Sequence, residues 1–295
     1  MLQSPPTTTN VDEQPATPLQ GPASHAERTA VSVVVPLFNE RECVSSLTAS
    51  LAQVERELGE RYDLEFVLVD DGSGDGTAAL LKNAIGDDCR YRLIEHPQNR
   101  GIAAAIATGI AAASREVIVS LDCDGSYDPL LMGELIPLLT SEVDLVTASP
   151  YHHAGGVENV PLWRLRLSRL ASQLYGLACR HKLTCYTSCF RVYRRSAVVD
   201  VKLDNERFVG VAELLCKVLQ QGGRVVEHPA RLRSRVAGHS KMRVVRASAG
   251  HLKLIAKIAR DRLRSPVSPT DVRPQSAGDC ADESAADSKD AVRVA

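Results

Sequence analysis

Aromatic residues are scarce in this chain. Four Phe, seven Tyr and one Trp make up 4% of 295 residues. Single-stranded nucleic acids are held on aromatics interleaved with basic residues, so no nucleic-acid partner is expected. Long apolar runs are missing too. Nothing approaches the about 18 consecutive apolar residues of a membrane span. Residues 1–29 have no apolar h-region and do not read as a secretory signal. The eight Cys fall at irregular spacing without a CxxC pair, which argues against a zinc site and for free cytosolic thiols. Net charge is also nearly absent, at −1.

That last absence is a cancellation. Residues 30–160 carry 21 acids and 8 bases, whereas residues 161–264 carry 6 acids and 23 bases, 17 of them Arg. Such segregation points to a cation-seeking half and an anion-seeking half, since ordinary surfaces mix both signs. Residues 1–29 hold five Pro together with Thr, Ser and Gln, and residues 265–295 are rich in Ser, Ala and Asp. Both read as disordered tails around a body near 30–264.

Within the body, residues 31–35, 64–69, 91–95, 116–121 and 144–148 are apolar and β-branched runs that predict strands. Between them, 40–58, 77–85, 101–113 and 129–140 have helical spacing, with Asn39 as a cap for the first. This alternation predicts an α/β fold: a single Rossmann-like domain with a mostly parallel sheet and helices on both faces. Ligands bind such sheets at the carboxyl ends of the strands, and the acidic clusters lie there. Further helices are expected over 162–180 and 247–264, with one or two strands in 224–235.

Two constellations carry chemistry. Asp122-Cys123-Asp124 follows a buried strand. Paired carboxylates suit a hard divalent cation, Mg²⁺ or Mn²⁺, that also takes substrate phosphate oxygens. The same Asp-x-Asp-Gly-Ser pattern resembles the nucleophile loop of haloacid-dehalogenase-type phosphatases, with Asp122 attacking phosphorus. The second constellation is Asp70-Asp71-Gly72-Ser73-Gly74-Asp75-Gly76-Thr77. A calcium EF-hand fails here because Lys82 stands where a bidentate Glu is needed. A Gly- and Asp-rich strand-end turn suits a nucleoside, while Asp75 and Thr77 also satisfy a turn and helix cap.

Taken in order, residues 35–40 (VPLFNE), Asp70-Asp71-Gly-Ser, Asn99-Arg-Gly101 and Asp122-Cys-Asp124 resemble glycosyltransferase family 2, with the GT-A fold. Pro161-Leu-Trp163-Arg, residues 187–191 (TSCFR), Glu213-Leu-Leu and residues 235–241 (RVAGHSK) are similar to its dolichol-phosphate and polyprenyl-phosphate mannosyltransferases. The resemblance implies a domain over 30–246, followed by a basic amphipathic helix over 247–264. It implies metal-dependent, inverting transfer of a mannose- or glucose-like sugar from a GDP- or UDP-sugar to a lipid phosphate. A degenerate nucleotide-sugar binder without turnover is the other reading of the same motifs.

Carried onto this sequence, Pro36, Phe38, Glu40, Asp70, Asp71 and Asp122 would line the nucleotide-sugar pocket. Asp122, Asp124 and Ser126 would hold the metal, and Asp124 and Glu213 would serve catalysis. Arg169, Arg191, Arg235 and Lys241 would face phosphates of donor or acceptor. The chain differs from the family's common pattern at Pro150, Cys185 and Cys189. Lys253, Lys257, Arg260, Arg262 and Arg264, around an apolar face of Leu252, Ile255, Ala256, Ala259 and Leu263, predict weak peripheral contact with an anionic membrane, and the expected location is the cytoplasm or its membrane face.

Overall fold

The computed structural model describes residues 28–235 and 244–264. Lys241 and the two expected tails lie outside these residues. Strand β1 (Thr29–Leu37) is buried from Val31 onward and is an interior strand of a seven-stranded sheet. Its side chains alternate between two cores. Val33 and Val35 enter one, and Val34 enters the other. The full β-branched run in the sequence is the consequence of covering both faces.

Parallel to β1 on one side runs β2 (Tyr62–Asp70), followed by β3 (Tyr91–Glu95). On the other side runs β4 (Val117–Ser120). The helices α1 (Val44–Leu58) and α2 (Thr77–Ile85) cover one face, and α3 (Ile102–Ala112) covers the other. Helix α3 lies close against β1. A Cβ on Gly109 would stand 2.2 Å from Val34 Cγ1, so only glycine permits that packing distance. Asn39 does not cap α1. Its backbone is left-handed at φ 50°, and its Oδ1 instead accepts from Gly74 N at 2.8 Å.

The expected helix over 129–140 is broken into 3₁₀ turns around a short α4 (Met132–Leu135). Pro129 and Pro137 account for this, because proline donates no N–H and crowds the preceding turn. Beyond β5 (Leu145–Ser149) the chain makes an excursion through β6 (Gly156–Val157) and α5 (Leu162–Cys179). It returns as β7 (Arg191–Arg194), which inserts antiparallel between β4 and β5. This strand was not anticipated from sequence, being four residues long with Arg at both ends.

After α6 (Arg195–Val198) and α7 (Phe208–Gln220), the sheet closes with β8 (Val225–Pro229), parallel to β5. The full order is β3-β2-β1-β4-β7-β5-β8. A short β9 (Arg231–Leu232) pairs with β6, and α8 (Val244–Arg264) packs on α5 and α7. The α8 face that packs is His251, Leu254 and Ile258, while Leu252 and Leu263 are exposed. Of the apolar face expected from sequence, Ile255 and Ala259 do pack against the core, so only part of it is turned to solvent.

Candidate active site

The loops after β1, β2 and β4 meet at the carboxyl edge of the sheet and line a cleft of about 1040 Å³. Backbone hydrogen bonds to buried carboxylates fix each wall. Asp71 accepts from His96 Nδ1 at 2.7 Å, Asn99 Nδ2 at 2.9 Å, Arg100 N at 2.9 Å and Gly101 N at 2.7 Å. One carboxylate thus shapes the whole 96–101 turn. Two glycines make the turn possible. Gly72 (φ +72°) lies against the Gln98 backbone, and Gly101 (φ +121°) lies against the Glu206 carbonyl, where no side chain fits.

Asp70 accepts from Ser73 N through Oδ2, at 3.0 Å. Its Oδ1 is buried and has no hydrogen-bond partner among the described residues. Across the cleft mouth, Glu40 N donates to Thr77 Oγ1, and Thr77 in turn donates to Asp75. The β1 and β2 loops are therefore stitched together. Pro36, Phe38, Glu40, Asp71, Asp122 and Asp124 all line the cleft.

The opposite wall was not read from the sequence. It is formed by Asp204, Asn205, Glu206 and Arg207. Glu213, buried on α7, accepts from Asp204 N, Asn205 N and Asn205 Nδ2 at 2.7–2.9 Å, and pairs with Lys217 at 2.8 Å. Glu213, expected to serve catalysis, does not line the cleft, and its carboxylate holds this wall. No local motif marks the wall, because the acid that organises it lies on the following helix.

Asp124 sits at the floor. Its Oδ1 accepts from Ser126 N at 2.9 Å and from Ser126 Oγ at 2.5 Å. Its Oδ2 forms an ion pair with Arg235 Nε at 2.9 Å, and Arg235 Nη1 donates to Glu40 Oε1 at 3.2 Å. A backbone bond from Arg233 N to Ser126 O, at 2.9 Å, aligns the segment after β9 so that Arg235 arrives here. Burial lowers the Arg235 pKa, but the charges of Asp124 and Glu40 outweigh it, and the net shift is upward. Burial, then the charge of Asp124, pushes Asp122 up to about 7. The Cys189 thiol hydrogen-bonds Asp122, and burial keeps that thiol well above its ordinary pKa.

Two adjacent acids with this excess of negative charge fit a hard cation. Among the described residues no cluster of three or more His, Cys, Asp or Glu completes a metal cage. The donor set suits Mg²⁺ or Mn²⁺, which are commonly held by one or two carboxylates with substrate phosphates and water.

A second groove, of about 710 Å³, opens on the same floor. It shares Asp122, Asp124, Cys189 and Arg235 with the first and runs between α5 and α8 past Tyr151, Trp163, Leu170 and Ile255. Arg169 does not itself line the groove, but its guanidinium lies 5.2 Å from the centre of the ring of Tyr151, which does. Arg191 does not face either opening. It is fully buried and donates to the carbonyls of Val211 and Tyr186, so the expected phosphate contact is corrected to a core anchor. Arg231 and Arg233 both pair with Glu158.

A family model described as "Glycosyl transferase family 2" matches residues 32–201, more than half the chain. The chain belongs to glycosyl transferase family 2. As a family 2 glycosyltransferase it has no place for the phosphatase reading of Asp122. Among similar proteins is the polyprenol monophosphomannose synthase of Mycolicibacterium smegmatis, 29% identical, with the alignment covering 76% of this chain and 84% of that one. A dodecaprenyl-phosphate galacturonate synthase of Rhizobium johnstonii is 30% identical, covering 65% of this chain and 56% of that one. A dolichol-phosphate mannosyltransferase of Pyrococcus furiosus is 28% identical, over 72% and 59%. The chain thus spans little more than half the length of the last two. Among solved structures, glucosyl-3-phosphoglycerate synthase of Mycobacterium tuberculosis, in complex with Mn²⁺, UDP and phosphoglyceric acid, superposes with TM-score 0.60 at 20% identity, covering 83% of this chain and 81% of that one. That likeness establishes the GT-A fold.

Proposed function

We propose that this glycosyltransferase moves a hexose-type sugar from a nucleotide-sugar, GDP- or UDP-linked, to a polyprenyl (dolichyl) phosphate, with inversion and with Mg²⁺ or Mn²⁺. One observation carries the reading: a cleft lined by carboxylates, amides and arginines and a groove lined in large part by Leu, Tyr and Trp side chains open on one floor made by Asp122, Asp124 and Arg235. A water-soluble donor and a lipid-tailed acceptor need that pair of environments. The relatives, a polyprenol monophosphomannose synthase, a dodecaprenyl-phosphate galacturonate synthase and a dolichol-phosphate mannosyltransferase, support it.

Asp70 is buried and does not line the cleft; its Oδ2 accepts from Ser73 N, so it would support the nucleoside pocket by holding the turn after β2. Asp122 and Asp124 would hold the divalent ion, with Ser126 beside them, and that ion would supply charge neutralisation for the departing nucleoside diphosphate. Arg235 and Arg169 would hold phosphate oxygens, for which the planar guanidinium is suited. A phosphomonoester has its second pKa at about 6 and is already nucleophilic near pH 7. No strong base is required, which accords with Glu213 being occupied elsewhere. Phosphate attack opposite the leaving group inverts the anomeric centre in one displacement.

Among the described residues no helix is long and apolar enough to cross a membrane. The exposed large apolar side chains are, apart from Leu138, all on α5 and α8. This two-helix surface, with Lys253, Lys257 and Arg260 at its side, would rest on the cytoplasmic face of an anionic membrane.

The test is metal-dependent stabilisation by a panel of nucleotide sugars, followed by transfer to a polyprenyl phosphate. Asp124→Ala is expected to keep the fold and lose metal-dependent donor binding. Unchanged transfer by that variant would refute the metal assignment. Donor binding without turnover on any lipid phosphate would leave a nucleotide-sugar binder.

A further inference from the structure

Asp124 is already neutralised in this structure, by a residue of the chain itself. Both lone pairs of its Oδ1 are engaged by Ser126, through N at 2.9 Å and Oγ at 2.5 Å. On Oδ2 the guanidinium Nε of Arg235 stands at 2.9 Å. A lone pair remains on Oδ2, so geometry leaves a place for a metal, but charge opposes it. A dication and a guanidinium on one oxygen would lie roughly 4 Å apart, well inside the range of strong repulsion in a partly buried site.

We infer that Arg235 is a resident counter-ion that competes with the divalent metal for Asp124 and is released by the donor's diphosphate. This rests on the metal reading of Asp122 and Asp124 given above. Three features support release rather than permanent pairing. The Arg235 side chain is 37% exposed, so it has room to move. Its second arm rests on Glu40 at 3.2 Å, on the cleft wall, which gives the cation another anchor when Oδ2 is taken. Both anchors line the same cleft as Arg235, so a diphosphate bound there lies within reach of its fork. The consequence is coupling. Metal alone binds against Arg235. Metal with nucleoside diphosphate binds after the phosphates have drawn Arg235 away, so each ligand favours the other.

The experiment uses the full chain and MnCl₂ as the probe, with free Mn²⁺ counted by paramagnetic resonance. Arg235→Gln is expected to bind Mn²⁺ on the order of tenfold more tightly than the unmodified protein when no nucleotide is present. Arg233→Gln removes the same charge two residues away, where the partner is Glu158 at 3.7 Å, and is expected to change affinity less than about twofold. Arg235→Lys keeps the charge without the planar fork and is expected to fall between. With UDP or GDP added, the gain in Mn²⁺ affinity is expected to be smaller in Arg235→Gln than in the unmodified protein. A thermal melt confirms that each variant is folded.

Equal Mn²⁺ affinity in the unmodified protein and both Arg235 variants would overturn the competition and leave the metal site standing. Equal tightening by Arg233→Gln and Arg235→Gln would also overturn it, reducing the effect to bulk charge. Failure of every protein to bind Mn²⁺, with and without nucleotide, would remove the metal reading itself.

Discussion

The two openings on the shared floor are built by opposite means. The donor-side cleft is made of acids whose positions are fixed by directional bonds. Asp71 takes four, Asp124 two with the Arg235 ion pair besides, and Glu213 three with Lys217 besides. The groove between α5 and α8 is made of apolar side chains on helices, many of them exposed, such as Leu170 at 52%. The cleft can read a small rigid ligand group by group. The groove can cover any apolar chain of suitable width, because the hydrophobic effect has no direction.

This difference should break first where the bonding is densest. Asp71→Asn removes a buried charge that four donors share, and leaves at least one donor without a partner. A stability loss of about 3 kcal/mol is expected in urea denaturation, together with loss of nucleotide-sugar binding. Retained stability would mean that the 96–101 turn is held by its other contacts. The groove should respond selectively. Leu170→Glu is expected to lower transfer to a long polyprenyl phosphate by about tenfold while donor affinity is unchanged. Equal loss with a short, water-soluble phosphate acceptor would mean that the groove does not hold the lipid. The smallest effect is expected at the outer surface. Leu177 is 77% exposed, and Leu177→Glu should weaken flotation with anionic vesicles by about threefold without moving the melting temperature. Flotation that is absent at low salt in the unmodified protein would remove the membrane contact altogether.

The parts of this plan that follow strand periodicity were legible in the sequence. The apolar runs located the strands, and the acids at their ends marked the cleft edge. Asp71, Asp122, Asp124 and Arg235 line it, while Asp70, expected beside them, is buried and does not. What was not legible depends on burial. An Arg looks alike in sequence whether it meets a phosphate or two main-chain carbonyls, and Arg191 does the latter. Glu213 looks like a lone acid on an apolar helix, and only the return of the 204–206 segment shows what it binds. The packed face of α8 was misjudged because His251 is buried there against Tyr175, with Nδ1 2.8 Å from the hydroxyl, and hydropathy does not count such a residue as core. The acidic and basic halves meet at several ion pairs, among them Arg231 and Arg233 on Glu158 and Arg194 on Asp144, and the one on the shared floor, Arg235 on Asp124, is announced by neither half alone.

The antiparallel β7 has a consequence for how the molecule can change. The chain leaves β5 at Ser149 and re-enters the sheet beside it at Arg191, with Ala148 N bonded to Phe190 O at 3.0 Å. Everything from Pro150 to Phe190, including the whole of α5, is therefore one loop closed at its base. The excursion is nonetheless tied to the body: Tyr175 is buried with its hydroxyl 2.8 Å from His251 Nδ1, Arg191 donates to the Tyr186 carbonyl, and Glu227 on β8 accepts from Thr184 N and Cys185 N. Exchanging α5 would therefore require the facing surfaces of α7 and α8 to change with it, so the two walls of the groove behave as one mechanical unit.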